Sequence, residues 1–326
     1  MPERSRLAST AARAFRYLPV FGLVLAAPAG AQEIAVVSRG VDAIAFVDLT
    51  DGTGGQTLPA GSFPHEIAVD TPSGLAYVPS YGGNTIHVFD LRTRSAVTSW
   101  ILDGHSALHG VRTSRDGSLL WVTAEEERVV VELSTRDGSV QNTWPTHGYR
   151  SHMIVSTPDD AKLFVANIDS GTVSSINRIS GAVTVISTGA GAEGIDISPD
   201  GTEVWVSNRA ENTVSIIDAG TDEVLTTFSS RGQFPVKVRF SPDGAQVWVA
   251  NNRSGSVAVF DSKTRRLRGS VNIGSRPLGL LFSPDAKIGY VSRPGASEIV
   301  EIDTGTLAIL RRLPVPAGPD GMAWVE

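Results

Sequence analysis

The chain repeats itself about every 42 residues, and a repeat of that length built from short strands has few ways to fold. The unit spanning 193–229 shows the pattern best. EGIDIS (193–198) is an apolar strand, here strand a. Pro199-Asp200-Gly201 is a tight turn, and EVWVSN (203–208), TVSIID (213–218) and EVLTTFS (223–229) supply strands b, c and d. Proline presets the first turn dihedral, and Gly or Asp accepts the awkward one. The turn recurs at Pro242-Asp243-Gly244 and Pro284-Asp285-Ala286, and more loosely at residues 72–74, 115–117 and 158–160. Four-stranded units at this period predict a β-propeller rather than a helical solenoid. Complete units start near residues 65, 109, 151, 193, 236 and 278. The N-terminal part supplies a further b (34–38), c (43–48) and d (near 56–59), and residues 321–325 supply a lone strand a. The expected fold is therefore all-β: seven four-stranded blades, the ring closed by the C-terminal strand a pairing with N-terminal strands b, c and d, which removes exposed sheet edges.

The first 31 residues read differently. Arg4, Arg6, Arg13 and Arg16 form a basic region, an apolar stretch runs from 17 to about 27, and Ala29-Gly30-Ala31 fits a small-x-small cleavage site. That layout is a secretory signal peptide, too short in its apolar part for a membrane span. Residues 32–326 are then a single exported propeller, periplasmic or secreted, with no membrane span after cleavage. The chain carries a net charge of −6 and no basic run, which argues against nucleic acid. It has no cysteine, which excludes thiolate metal sites, cysteine nucleophiles and disulfide staples.

The strand-b segments YVPS (77–80), WVTA (121–124), FVAN (164–167), WVSN (205–208), WVAN (248–251) and YVSR (290–293) resemble the YVTN-repeat β-propeller family, which includes lactonase-like and surface-layer-type seven-bladed propellers and domains resembling the haem d1 propeller. The resemblance covers about 33–326. It implies the fold, and it implies function only loosely, because one fold hosts many activities.

Two recurring rows are expected to be structural. Tyr77, Trp121, Phe164, Trp205, Trp248 and Tyr290 share a register in strand b, where large rings fill the wedge between blades. Asp48, Asp90, Glu132, Asn177, Asp218, Asp261 and Asp303 close strand c, where a short polar side chain caps its own turn. The run Glu125-Glu126-Glu127 reads as a solvated loop, with a weak cation or partner site as the minor option.

Histidine gives the chemical clue. His65, His109 and His152 stand at one register position in three successive repeats, followed in register by Glu193, Val236, Leu278 and Asp320. His105 and His147 lie in the same loops, and only His87 lies elsewhere. The start of strand a surrounds one mouth of the central channel, so these side chains are expected to converge. Three imidazoles with open coordination positions suit zinc, iron or copper. His65, His109, His152 and Glu193 form the candidate metal set, with Glu193 the candidate catalytic base. Glu66, His105, His147, Arg150 and Asp320 are candidate ligand-binding residues, opposite an apolar arc of Val236 and Leu278. Arg39, Arg209, Arg231, Arg253, Arg276 and Arg293 are loop cations that could meet an anionic group on the ligand. The bland alternative is that wet channel mouths tolerate histidines bonded to neighbouring loops.

Three functions fit these residues: a metal-dependent hydrolase or lyase acting on a small organic ligand such as a lactone; a non-catalytic module binding a small ligand or another exported protein; and, by resemblance only, a haem d1-type electron-transfer domain, although the chain has no C-x-x-C-H for haem attachment. No G-x-S-x-G or phosphate-loop motif occurs. A monomer is expected.

Overall fold

The computed structural model describes residues 33–52, 54–274 and 276–325; the expected signal peptide lies outside them. The described residues form seven four-stranded antiparallel sheets. We number the blades from the one that begins near His65. Blade 4 is typical: Ala192–Ile197 (a), Glu203–Asn208 (b), Thr213–Asp218 (c) and Val224–Ser229 (d). Blade 7 is the composite one. Pro319–Val325 pairs antiparallel with Glu33–Ser38, with Ile34 opposite Trp324, and Ala43–Asp48 and Gly54–Pro59 complete the sheet. The ring closes as the sequence predicts. Among the described residues no helix is long and apolar enough to cross a membrane.

Strands a, b and c are largely buried and strand d faces water on most positions, as in Ser95–Ile101, where every residue but Trp100 is exposed. The strand-b aromatics are the largest side chains removed entirely from solvent. They join adjacent blades. Trp205 meets Phe240 of blade 5 edge to face at 5.7 Å, Trp248 meets Phe282 of blade 6 at 5.0 Å, and Tyr290 meets Trp324 of blade 7 at 5.7 Å. T-shaped contacts place ring edges on ring faces, the favoured electrostatic arrangement.

The strand-c row is mostly as expected. Asp218 accepts the backbone N–H groups of Gly220 and Thr221, and Asp303 those of Gly305 and Thr306. Glu132 departs from it. Strand c of blade 2 runs Val129–Ser134, so Glu132 lies inside the strand. Its carboxylate is buried, accepting the indole N–H of Trp121 at 2.8 Å and the Arg178 guanidinium of blade 3 at 2.6 Å. The longer side chain reaches the blade interface where a terminal Asp would turn back on its own loop.

Candidate metal centre

Five strand-a segments are irregular at the residues that matter. Pairing with strand b slips between Leu108 and Val111, between Ser151 and Ile154, between Ala192 and Ile195, between Pro235 and Lys237, and at Pro319–Met322. These are β-bulges, which leave one extra residue unpaired and re-aim its side chain. His109, His152, Glu193, Val236 and Asp320 all sit in them, and the next residue is Gly110, Met153, Gly194, Lys237 or Gly321. A Cβ at Gly110 would meet the His152 carbonyl, and one at Gly279, the equivalent in blade 6, the Asp320 carbonyl. Glycine is needed there because innermost strands of neighbouring blades approach closely. Where it occurs, a strand-b hydroxyl can accept the bulge N–H: Thr123 from Gly110 at 2.8 Å, Ser207 from Gly194 at 3.0 Å, Ser292 from Gly279 at 2.7 Å.

The bulges aim the side chains into a cavity of about 190 Å³ at the channel mouth formed by the d–a and b–c loops. His65, His109, His152, Glu193, Glu66, Arg150 and Asp320 all line it, with Val236 and Leu278 on the apolar arc. His105 and His147 do not. His105 is half-buried in the loop before strand a, and His147 is exposed with a positive φ of 56°. Of the loop arginines, Arg39, Arg150 and Arg209 reach the cavity. Arg253 instead lies over the Phe234 ring at 4.2 Å, and Arg293 pairs with Glu298.

The charges of the wall are matched in pairs. Arg39 faces Asp320 at 3.4 Å, Arg150 faces Glu125 at 3.4 Å, Arg209 bonds Glu193 at 2.8 Å and Lys237 bonds Glu66 at 2.6 Å. The three imidazoles remain. His65 Nδ1 lies 3.1 Å from Asp320 Oδ2, and His152 Nδ1 bonds Glu125 Oε1. Each flanking histidine is thus held at Nδ1 by a carboxylate that is itself braced by an arginine. A carboxylate partner fixes the proton on Nδ1 and leaves Nε2 as a lone-pair donor. His65 Nε2 is buried with no hydrogen-bond partner, and His152 Nε2 lies 3.8 Å from Glu193 Oε1.

His109 stands between them, its ring 3.6 Å from that of His152 and 4.9 Å from that of His65. Its Nδ1 is buried without a partner. Burial, and then the positive charges of His152, His65, Lys237 and Arg150, push its pKa well below the usual imidazole range. His109 is therefore neutral at pH 7, the form that binds metal. Burial raises the carboxyl of Glu125, but the His152 hydrogen bond and charge, Arg150 and Tyr81 outweigh it and hold the group below its ordinary value. Asp320 is likewise held down against burial by His65, Arg39 and Lys237.

Glu125, read from the sequence as part of a solvated loop with a cation site only as the minor option, joins two of the expected residues: His109, Glu125 and His152 form a group that could hold a metal, their ligand atoms lying within 4.8 Å of one another. The acidic run is not a solvated loop: Glu125 is 5% exposed, and Glu127 accepts from the Ser106 N–H and hydroxyl, both at 2.9 Å. Register held the signal. Arg39, Tyr81, Glu125 and Arg209 each follow strand b by the same offset from Ala35, Tyr77, Trp121 and Trp205. That offset forms a second ring behind the histidines.

Comparison with known proteins supports the fold. Residues 160–273 match the family model described as lactonase, 7-bladed beta-propeller. This match and the seven-bladed architecture bear out the resemblance read from the strand-b segments. A functionally unknown protein from Desulfotomaculum acetoxidans DSM 771 superposes with a TM-score of 0.78 at 16% identity, covering 90% of this chain and 99% of that one. Kuenenia stuttgartiensis hydrazine synthase gives 0.70 at 16% identity over 79% of this chain and 88% of that one. Dihydro-heme d1 dehydrogenase NirN in complex with DHE gives 0.63 at 16% identity over 90% and 75%. At such identity these likenesses show the fold alone. No curated protein matches the chain.

Proposed function

We propose that this lactonase-type propeller is an exported, metal-dependent hydrolase or lyase whose substrate is a small lactone or ester. One observation carries the reading. All four cations of the cavity wall are paired with carboxylates, while the imidazoles converge with His65 Nε2 and His109 Nδ1 buried and unsatisfied. Buried polar atoms without partners call for an explanation, and a cation is the partner that neutral imidazole takes best. The residues fit zinc, iron or copper, with His65, His109 and His152 as nitrogen donors. Glu125 acts as an orienting carboxylate, because its two oxygens already face His152, Tyr81 and Arg150.

A divalent cation bound there would polarise a carbonyl and acidify water. The chain supplies the rest. Val236 and Leu278 hold the apolar part of the substrate. Arg39 and Arg150 stand at the cavity wall, where a developing carboxylate would be met. Glu193 Oε2 is held by Arg209, which leaves Oε1 toward His152 and the cavity to accept a proton. Export to the periplasm rests on the N-terminal arginines, apolar stretch and Ala29-Gly30-Ala31, and the chain is expected to work as a monomer without nucleic acid.

The test is elemental analysis of untagged mature protein beside a His109→Ala variant, with lactone and ester hydrolysis measured before and after chelation. The reading requires about one metal per wild-type chain, loss in the variant, and chelator-sensitive hydrolysis. Substoichiometric metal in both proteins would overturn it and leave a non-catalytic binding propeller. Stoichiometric metal without hydrolysis would leave a metal-binding module.

A further inference from the structure

The other end of the channel holds a second arrangement that the proposed reaction does not use. Lys237 and Glu66, from blades 5 and 1, bond across the channel at 2.6 Å and line both the histidine cavity and a further space of about 280 Å³ beneath it. Four charged residues line this lower space: Glu66, Lys237, Arg112 and Arg239. The first two neutralise each other. The segment is left with two guanidinium groups beside a wall that includes the apolar side chains of Val111, Ile195 and Met322.

Neither arginine is well matched. Arg112 lies on strand a of blade 2, and its guanidinium has no hydrogen bond or ion pair among the described residues. Arg239, on strand a of blade 5, reaches only Asp196 Oδ1 at 3.9 Å, beyond hydrogen-bond range. Asp196 is partly committed elsewhere, because its Oδ2 accepts the Phe240 N–H at 2.8 Å. Burial, followed by the like charge of Arg239, pulls the Arg112 guanidinium below the ordinary arginine value, with Asp196 and Asp160 opposing. The two cations therefore feel one another. The wider mouth below, about 740 Å³ and ringed by the a–b turns, has Asp70, Asp160 and Asp196 beside Arg112, Arg115 and Arg239.

Both arginines are half-buried, and neither guanidinium has an anion within hydrogen-bond distance to accept its N–H groups. Arginine's planar fork matches carboxylate or phosphate oxygens in pairs. We propose that the channel segment between Arg112 and Arg239 is a binding site for the oxyanion of a small organic acid, carboxylate or phosphate, whose short aliphatic part lies against the apolar wall. The site is separate from the histidine cavity, and its occupancy does not depend on the reaction proposed there.

The experiment is isothermal titration calorimetry in chloride-free buffer with two probes, inorganic phosphate and butyrate. The wild type is compared with Arg112→Gln, Arg239→Gln and Arg136→Gln, the last removing an exposed charge from the c–d turn of blade 2. At least one probe is expected to bind wild type, and to weaken by about tenfold or more in Arg112→Gln and Arg239→Gln, the loss of a charge-assisted hydrogen bond. Arg136→Gln should leave binding unchanged. Binding of phosphate alone or butyrate alone identifies the head group, and binding of both shows that oxyanion charge suffices. Arg112→Lys keeps the charge, loses the fork and should weaken binding several-fold, so it decides the matter with Arg239→Gln if Arg112→Gln does not fold. The proposal is overturned if neither probe binds wild type, or if the Arg112 and Arg239 variants bind as well as wild type.

Discussion

Glu125 of blade 2 holds His152 of blade 3 through its Nδ1, and Arg150 and Tyr81 brace the same carboxylate from outside. Across the cavity Asp320 does the same for His65, with Arg39 behind it. Two arginine–carboxylate–imidazole relays thus flank His109 and set the direction of the lone pairs the cavity receives.

Glu125→Gln tests that relay. The amide keeps the shape but loses the charge that fixes the His152 tautomer. Metal affinity is expected to fall about 10–100-fold with the fold retained, the effect of removing an outer carboxylate from a ligating histidine. Chelator competition monitored by metal release measures it, and an unchanged affinity would remove Glu125 from the centre.

Gly110→Ala tests the bulge. The added Cβ meets the His152 carbonyl and comes within 3.0 Å of the Ile154 nitrogen, both backbone atoms that cannot swing aside. Overpacking of this kind costs about 1–3 kcal/mol. Urea denaturation should show that loss together with weakened metal binding, because His152 is displaced. Full stability and full metal content would show that the innermost strands tolerate a side chain there.

Glu132→Ala should destabilise the protein by about 3 kcal/mol, since it leaves Arg178 and the Trp121 N–H without their buried acceptor. Asp261→Ala, which removes only a turn acceptor at the end of strand c in blade 5, should cost about 1 kcal/mol or less. Chemical denaturation of the two variants side by side gives the comparison, and equal losses would contradict the distinction between interface and turn.

The a–b turns predict acid sensitivity. Asp116 is lowered to about 2 by the Ser118 N–H and the Ser114 and Ser118 hydroxyls, and Asp285 to about 2 by the Ser283 hydroxyl and Lys287. Asp159, Asp200 and Asp243 are lowered through the same geometry. A folded-state pKa below the unfolded value adds stability that is present above about pH 3.8 and lost as pH falls toward 2. The denaturation midpoint should drop across that window, and less steeply in Asp116→Asn. NMR titration of the Asp116 carboxyl would give its midpoint directly, and a value near 3.8 would refute the account.

The architecture was legible in the chain because each blade is a local object. Its strands are short, its turns carry Pro, Asp and Gly where dihedrals demand them, and its period counts the blades. The convergence of His65, His109 and His152 was legible for the same reason, since equal register in a closed ring means proximity. Glu132 and Glu125 were misread because their partners, Arg178 and His152, belong to the neighbouring blade. Arg112 drew no notice either, as one basic residue in an ordinary strand.

Sequence alone therefore determined the repeat, the closure between the two ends of the propeller, and which position faces the channel mouth. Tertiary structure decided which charges are matched and which are left over. Pairing depends on distances across blade interfaces and across the channel, where residues such as Glu66 and Lys237 lie 171 positions apart and no local pattern links them. The bulges that turn His109 and His152 inward are also decided there, because they follow from how closely the innermost strands pack around the axis.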